Sequence, residues 1–252
     1  MEKKISEIKK EFEMAGTEKL SELFAEYADD SRAGVAGLIR QYRKKGEALH
    51  KEMARIEDMK TYEREYERIG WVCGIDEAGR GPLAGPVVAG AVILPKDSKI
   101  LYLNDSKKLS EKKREELFDV IMEQAVAVGV GIVGPERIDE INILQATYEA
   151  MRQAIGKLAI VPQILLNDAV TIPQVIIPQV PIIKGDAKSV SIAAASIVAK
   201  VTRDRLMKEY DEQMPEYGFA SHKGYGSAAH IEAIKKYGPS SIHRRTFLTH
   251  FV

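Results

Sequence analysis

Two adjacent carboxylates, Asp76 and Glu77, close a short apolar run, Trp71 to Ile75. Side by side at a strand end, such acids repel each other unless something cationic neutralises them. A divalent metal is the natural neutraliser, and oxygen-only ligands suit Mg²⁺ or Mn²⁺. An isolated Asp-Glu pair is usually a solvated acidic turn, but two further acids stand in comparable places. Asp168 follows the apolar stretch Ile164 to Asn167, and Asp186 sits in Lys184-Gly-Asp-Ala-Lys188 just before a helical segment. Strand-end acids of an open α/β sheet converge on one edge. Four of them there, with no His or Cys ligands nearby, would make a two-metal hydrolytic site for phosphodiesters. Gly79-Arg80-Gly81 follows the first pair. Its glycines permit positive φ and let backbone N–H groups approach a phosphate or sugar. The Gly-Lys-Ser/Thr of a nucleotide-triphosphate loop is missing, so that cradle is not expected.

The elements that would position these groups follow from periodicity. Trp71–Ile75 and Pro86–Leu94 are predicted strands, separated by a segment dense in turn formers. Ser110 opens a predicted helix to about Gln124, a Val/Gly strand runs to Val133, and a second helix spans Ile141 to Leu158. After the strand 164–167, residues 171–183 are proline-rich and predict loop or edge material. Ser189 to about Gln213 is Ala-rich and helical. The first two strands are too close for a helical crossover, so the sheet must mix strand directions. Residues 1–70 hold 15 basic and 16 acidic residues, no proline, and apolar residues at helical spacing. They predict a helical extension, with Asp30-Ser-Arg as a helix start and a segment from about Arg32 to Glu67 that forms one long helix or two, Gly46 being the possible break.

Asp76-Glu-Ala-Gly-Arg-Gly-Pro-Leu-Ala-Gly-Pro-Val-Val-Ala-Gly-Ala-Val92 resembles the signature of the bacterial type 2 ribonuclease H family, ribonuclease HII. Further blocks are similar to the family in the same order. They are Asn104-Asp-Ser-Lys-Lys-Leu109, Lys184-Gly-Asp-Ala-Lys-Ser189, Ser191 to Arg205, Tyr217-Gly-Phe-Ala-Ser-His-Lys-Gly-Tyr-Gly226 and Ile242-His-Arg-Arg-Thr-Phe247. The extension before residue 70 resembles helical additions of some Gram-positive members. The resemblance implies an α/β, ribonuclease H-like mixed sheet flanked by helices over residues 71–252, behind a helical extension over residues 1–70. It implies an endoribonuclease that hydrolyses the RNA strand of RNA–DNA hybrids. It also implies cleavage on the 5′ side of single ribonucleotides in duplex DNA, leaving 3′-hydroxyl and 5′-phosphate ends, a chemistry suited to ribonucleotide excision repair.

By the same resemblance Asp76, Glu77, Asp168 and Asp186 are the ligands of two divalent ions. Asp76 would bridge both, Asp186 would complete the site that activates water, and Glu77 and Asp168 would serve the other. The Gly79-Arg80-Gly81 backbone would read the ribose 2′-hydroxyl, and Tyr225 would join in and stack at the RNA–DNA junction. The 2′-hydroxyl is what separates RNA from DNA at one sugar. A site built to hydrogen-bond it rejects deoxyribose because its own polar groups would be left unpaired. Lys107, Lys108, Lys184 and Ser189 are candidate contacts to the nucleic-acid backbone, with Lys200 and Arg203 as further positions. His222 is assigned no proton-transfer role, and Cys73 reads as a small buried hydrophobe. Two rivals are a type 3 ribonuclease H confined to longer hybrids and a non-catalytic hybrid-binding protein. The first carries a sheet-containing N-terminal domain, and the second would have lost an acid.

The 252 residues carry 37 basic and 37 acidic side chains, which argues against a protein that coats nucleic acid by bulk charge. The balance is partitioned, however, since residues 184–252 hold 11 basic against 7 acidic. No apolar run is long enough for a membrane span, and the N-terminus lacks a secretory pattern. A single cysteine allows no intrachain disulfide. A cytoplasmic monomer is expected, with no membrane partner. The C-terminal Phe247–Val252 contains no Gln-x-x-apolar-x-x-aromatic-aromatic pattern for binding a sliding clamp.

Overall fold

A computed structural model describes residues 3–249. The last three residues of the segment examined for a clamp-binding pattern, 250–252, lie outside the described residues. The chain divides into two compact units, one up to Arg55 and one from Ile56 onward. The first contains α1 (Ile5–Met14), α2 (Thr17–Glu26) and most of α3 (Ala33–Asp58). Its core gathers Ile8, Phe12, Leu23, Tyr27, Val35, Leu38 and Tyr42, the apolar positions set by helical spacing. Asp30 does not cap a helix. Its carboxylate accepts from the backbone and guanidinium of Arg32, one residue before α3 starts. Of the two readings of the segment that follows, two helices form, but α3 runs through Gly46 and the break comes after Asp58, before Thr61.

The second unit begins with the last turn of α3 and α4 (Thr61–Tyr66), followed by β1 (Val72–Ala78) and β2 (Val87–Ile93). Then come α5 (Glu111–Gln124), β3 (Ala127–Val133), α6 (Pro135–Gly156), β4 (Ile164–Asp168) and β5 (Gln179–Ile182). The chain closes with α7 (Val190–Gln213), α8 (Phe219–His222) and α9 (Ala228–Tyr237). The sheet order is β3-β2-β1-β4-β5. β1 pairs antiparallel with β2 and β2 with β3, whereas β4 is parallel to both β1 and β5. This is the mixed sheet expected from the short β1–β2 link. The proline-rich stretch supplies an edge strand, where Pro181 is tolerated because one side of the strand needs no donor. The helix predicted from Ile141 starts earlier, at Pro135, and is interrupted at Asn142, whose φ is 66°.

One face of the sheet packs on α6 around Ile75, Leu165, Ile138, Ala150 and Met151, with Cys73 fully buried among them. The other face packs on α7, which is buried from Val190 to Ala199. Alanines there let the helix approach closely. A β-carbon at Gly74 of β1 would overlap the Ser191 backbone.

Packing divides the chain earlier than the change of texture at Gly70, and the reason is visible. Ile56 and Met59 join the core beneath α7, and Tyr62 and Tyr66 pack against Val72, Ile164 and Ile192. Glu63 accepts hydrogen bonds from the Ser189 hydroxyl (2.5 Å) and the Ser191 amide (2.9 Å) at the start of α7. Burial raises its carboxyl above the usual range, against the lowering effect of those bonds. Glu63→Ala should therefore cost about 1–2 kcal/mol, as other cap deletions do. A urea-unfolding midpoint equal to wild type would show that Glu63 does not hold this helix start.

Candidate active site

The parallel register of β1 with β4 sets Ile75 beside Asn167, so the next residues, Asp76 within β1 and Asp168 at the end of β4, stand on neighbouring strands. Asp76 is 6% exposed. Its Oδ1 accepts from the Glu77 amide at 2.7 Å. The Ser196 hydroxyl of α7 donates to Ser106 Oγ at 3.0 Å and acts to lower the Asp76 carboxyl, against its burial. Asp168 Oδ1 accepts from the Gly185 amide at 2.7 Å, which draws the turn carrying Asp186 against the end of β4.

The electrostatics of these acids are unfavourable as they stand. Burial first, then the charges of Glu77 and Asp168, push the Asp76 carboxyl well above its ordinary range. Burial also raises Glu77, opposed mainly by Arg80, whose Nη1 lies 3.4 Å from Glu77 Oε1. Asp186 is raised by burial and then by Asp105 and Asp168. Burial and like charge raise all three carboxyls, a strain that a bound cation would relieve, and an all-oxygen set matches Mg²⁺ or Mn²⁺ chemically. Among the described residues, no three His, Cys, Asp or Glu groups converge into a ready-made metal cluster. The donor set fits by its chemistry and its mutual repulsion.

A cleft of about 490 Å³ opens over Asp76 and Glu77, walled by the Gly79-Arg80-Gly81 loop, Lys107, Lys200 and Tyr225. Gly79 has φ +94°, and a β-carbon there would run into the Arg203 side chain. The loop is held from behind by two buried arginines. Arg244 donates to the carbonyls of Gly79 (2.5 Å), Arg80 (2.8 Å) and Gly85 (3.0 Å). Arg203 donates to those of Pro86 (2.9 Å), Lys223 (3.0 Å) and Ala84 (3.1 Å). Burial, and then the charge of Arg203, push Arg244 down to about 9, which still leaves it cationic at neutral pH. In a trans peptide the N–H points opposite to the C=O. With the Gly79 and Arg80 carbonyls pinned to Arg244, the Arg80 and Gly81 amides therefore face away from that guanidinium.

The remaining candidates divide. Lys107 is exposed on the cleft wall, and its charge acts on Glu77 and Asp186. Lys108 and Lys184 are exposed outside the cleft lining. Ser189 is fully buried, with its hydroxyl given to Glu63 and accepting from the Ile192 amide. That hydroxyl caps α7 and is not offered to a nucleic acid, which corrects its reading as a contact. Arg203 is likewise a buried support rather than a phosphate contact, though its guanidinium lies 6.0 Å from the Tyr225 ring centre. Lys200 lines the cleft but is paired with Asp204 at 2.7 Å.

Sequence reading missed Ser196, Arg114 and the acidic role of Asp105. Arg114 donates to the carbonyls of Ser106 (3.0 Å) and Leu109 (2.6 Å) and so fastens the loop that carries Lys107. The signal for Asp105 was present, since it stands inside the Asn104–Leu109 block.

Comparison with known proteins places this arrangement. A family model described as ribonuclease HII matches residues 73–250, and one described as ribonuclease HII N-terminal domain matches residues 4–67. The chain is 64% identical over 245 residues to ribonuclease HII of Lachnoclostridium phytofermentans, covering 97% of this chain and 96% of that protein. It is 54% identical over 249 residues to that of Clostridioides difficile, covering 98% of each. Among solved structures it is similar to the ribonuclease H2 of Pyrococcus horikoshii, with 33% identity, a TM-score of 0.59, and coverage of 70% of this chain and 93% of that one. Bst-RNase HIII in complex with Mn²⁺, 16% identical with a TM-score of 0.54, shares the fold, over 70% of this chain and 66% of that one. Two family models covering both ends of the chain, with relatives matching along nearly its whole length, leave one assignment. The chain belongs to the ribonuclease HII family and is an endoribonuclease of the ribonuclease H class.

Proposed function

We propose that this enzyme cuts the RNA strand of RNA–DNA hybrids and also cleaves on the 5′ side of a single ribonucleotide embedded in duplex DNA. The observation that carries the reading is one cleft in which Asp76 and Glu77, the Gly79–Gly81 loop and the Tyr225 ring stand together. Asp76, Glu77, Asp168 and Asp186 would hold two divalent ions. When bound, Mg²⁺ or Mn²⁺ supplies a water nucleophile at neutral pH and charge stabilisation for the phosphoryl oxygens.

The protein's own residues do the positioning. The outward amides of the Arg80 and Gly81 peptides are donors for a ribose 2′-hydroxyl, and a deoxyribose would leave them unpaired. The Tyr225 ring, 45% exposed, offers a face on which the sugar–base unit at an RNA–DNA junction can stack. Lys107 supplies positive charge for the phosphate backbone from the opposite wall. Hydrolysis in line would leave a 3′-hydroxyl and a 5′-phosphate. Such products suit ribonucleotide removal from DNA by a monomeric cytoplasmic enzyme with no membrane partner.

The test is cleavage of a DNA duplex carrying one ribonucleotide, compared with an all-RNA strand in a hybrid, at fixed Mg²⁺ or Mn²⁺. Tyr225→Ala should reduce cleavage at the single ribonucleotide by about 10-fold or more, in line with the loss of one aromatic stacking platform. The long hybrid, with many 2′-hydroxyls to engage, should suffer less. Equal rates for Tyr225→Ala and wild type on the single-ribonucleotide duplex would overturn the recognition reading. Wild-type enzyme inactive on that duplex but active on the hybrid would overturn the single-site activity.

A further inference from the structure

Three imidazoles, none of them needed for the chemistry above, are stacked behind the loop that presents Tyr225. His222 and His230 lie face to face, with ring centres 4.3 Å apart, and His243 is 5.1 Å beyond His230. His230 and His243 are 0% and 3% exposed, and the Phe219 ring meets all three edge-on or tilted. Such a cluster could be mere filling. Its hydrogen bonds argue otherwise, because they fix the tautomer of every ring.

The assignment follows from the partners that cannot change role, backbone amides and carbonyls. The Ser240 amide donates to His243 Nδ1 at 2.9 Å, so that nitrogen is bare and the proton sits on Nε2. His243 Nε2 is 3.0 Å from His230 Nε2, which must therefore accept. His230 then carries its proton on Nδ1, and that atom lies 2.9 Å from the Tyr225 carbonyl, which can only accept. His222 is fixed independently. Its Nδ1 accepts from the Gly224 amide at 3.2 Å, and its Nε2 donates to the Tyr217 carbonyl at 2.9 Å. Each ring is neutral, with one donor and one acceptor in use. Burial lowers His230 below the ordinary imidazole range and His243 to about 4, in keeping with neutral rings.

The line of bonds ends on the Tyr225 carbonyl, and a separate backbone bond holds the amide of the same residue. The Tyr225 amide donates to the His222 carbonyl at 2.9 Å, and the Tyr225 carbonyl accepts from His230 Nδ1 and from the Ser227 amide (2.8 Å). The flanking turn is demanding, with φ of 52° at Lys223 and 82° at Gly224. A turn in that conformation keeps its direction only if its surroundings specify it.

We propose that His230 and His243 are positioning residues for single-ribonucleotide recognition, forming a hydrogen-bonded relay from Ser240 that fixes the backbone of Tyr225 and hence the direction of its ring into the cleft, with the His222 ring stacked on His230 beside it. The inference rests on the recognition role of Tyr225 given above, and its test keeps the two apart. The amide of Asn overlays imidazole Nδ1, whereas that of Gln overlays Nε2. Gln is closer to His in volume, so a role in packing alone favours His230→Gln, and a role through the Tyr225 carbonyl favours His230→Asn. The readout is the ratio of cleavage at a single ribonucleotide to cleavage of a long hybrid, which partial unfolding would leave unchanged.

His230→Gln is expected to lower that ratio about fivefold, the effect of one hydrogen bond. His230→Asn should stay near wild type, and neither should change the ratio further in a Tyr225→Ala background. A wild-type ratio in His230→Gln, alongside a lowered one in Tyr225→Ala, would overturn the positioning role and leave the recognition role standing. A wild-type ratio in Tyr225→Ala itself would remove the recognition role on which the relay depends. Nitrogen-15 NMR of the wild-type histidines gives a readout independent of variant folding. It should find the proton on Nδ1 of His230 and on Nε2 of His222 and His243. A proton on Nε2 of His230 would break the relay and overturn the proposal.

Discussion

If Asp76 holds catalytic cations as proposed, Asp76→Asn should reduce hybrid cleavage on the order of 10³-fold, while the metal-free protein melts at or above the wild-type temperature. The two halves have one cause. Asp76 is nearly buried, and its carboxyl is raised by burial and by the charges of Glu77 and Asp168. A folded-state pKa above the unfolded one contributes stability below the unfolded value, and that stability is lost as pH rises through the folded value. At neutral pH the metal-free wild type has therefore lost stability that an uncharged amide keeps. Asn also preserves the Oδ1 acceptor used by the Glu77 amide. The melting advantage of Asp76→Asn in chelator should accordingly widen from about pH 4 upward. Added Mn²⁺ or Mg²⁺ should stabilise wild type more than the variant. Wild-type turnover by Asp76→Asn, or identical melting of the two proteins at every pH, would sink the metal-ligand assignment.

Arg244→Lys should damage both stability and turnover. The guanidinium satisfies three buried carbonyls, at Gly79, Arg80 and Gly85, along three directions. An ammonium group is a compact donor on a flexible stem and cannot reproduce that fork. Leaving one or two carbonyls without a donor costs about 3 kcal/mol, which for a chain of this length lowers Tm by roughly 6–12 °C. Turnover should fall about 100-fold even well below the melting temperature, because the Gly79–Gly81 amides lose the pinning that aims them. Differential scanning fluorimetry and a cleavage assay at 25 °C separate the two losses. If the variant melts lower but cleaves a single-ribonucleotide duplex at the wild-type rate, Arg244 supports the fold without directing the loop.

These two residues also mark the limits of sequence reading. Asp76 drew attention because a charged pair after an apolar run is costly and calls for an explanation at once, and the structure does bury it. The same logic pointed to Asp168 and Asp186, and short apolar runs located β1, β2 and β4 within a few residues. Arg244 and Arg203 were not legible as supports. An arginine looks like a phosphate contact until its environment is known, and all but one of their six carbonyl partners lie more than a hundred residues away in the chain. Ser189 misled for a related reason, since its partner Glu63 is 126 positions distant. The division after Arg55 was hidden because residues 56–67 keep the helical texture of the extension while packing into the unit with the sheet. Gly46 misled because glycine is only a modest penalty inside a long helix and α3 absorbs it. The His230–Tyr225 link was beyond periodicity altogether, since tautomers are set by three-dimensional partners.

The span from Gly79 to the arginine behind it, 165 residues, has a consequence for how the enzyme comes into being. At about 5–20 residues per second, translation takes on the order of 10–30 seconds to travel from one to the other. During that interval β1 and β2 can pair as a hairpin and the acids can emerge one after another. The Gly79–Gly81 loop, however, still lacks the guanidinium that holds its carbonyls. On the proposed reading of that loop, a nascent chain that has not yet delivered Arg244 lacks the surface that would discriminate a ribose. The order of synthesis would then delay substrate discrimination until late in the chain, and a ribosome-bound fragment stopped before residue 244 would be poorly equipped to select the sugar it cuts.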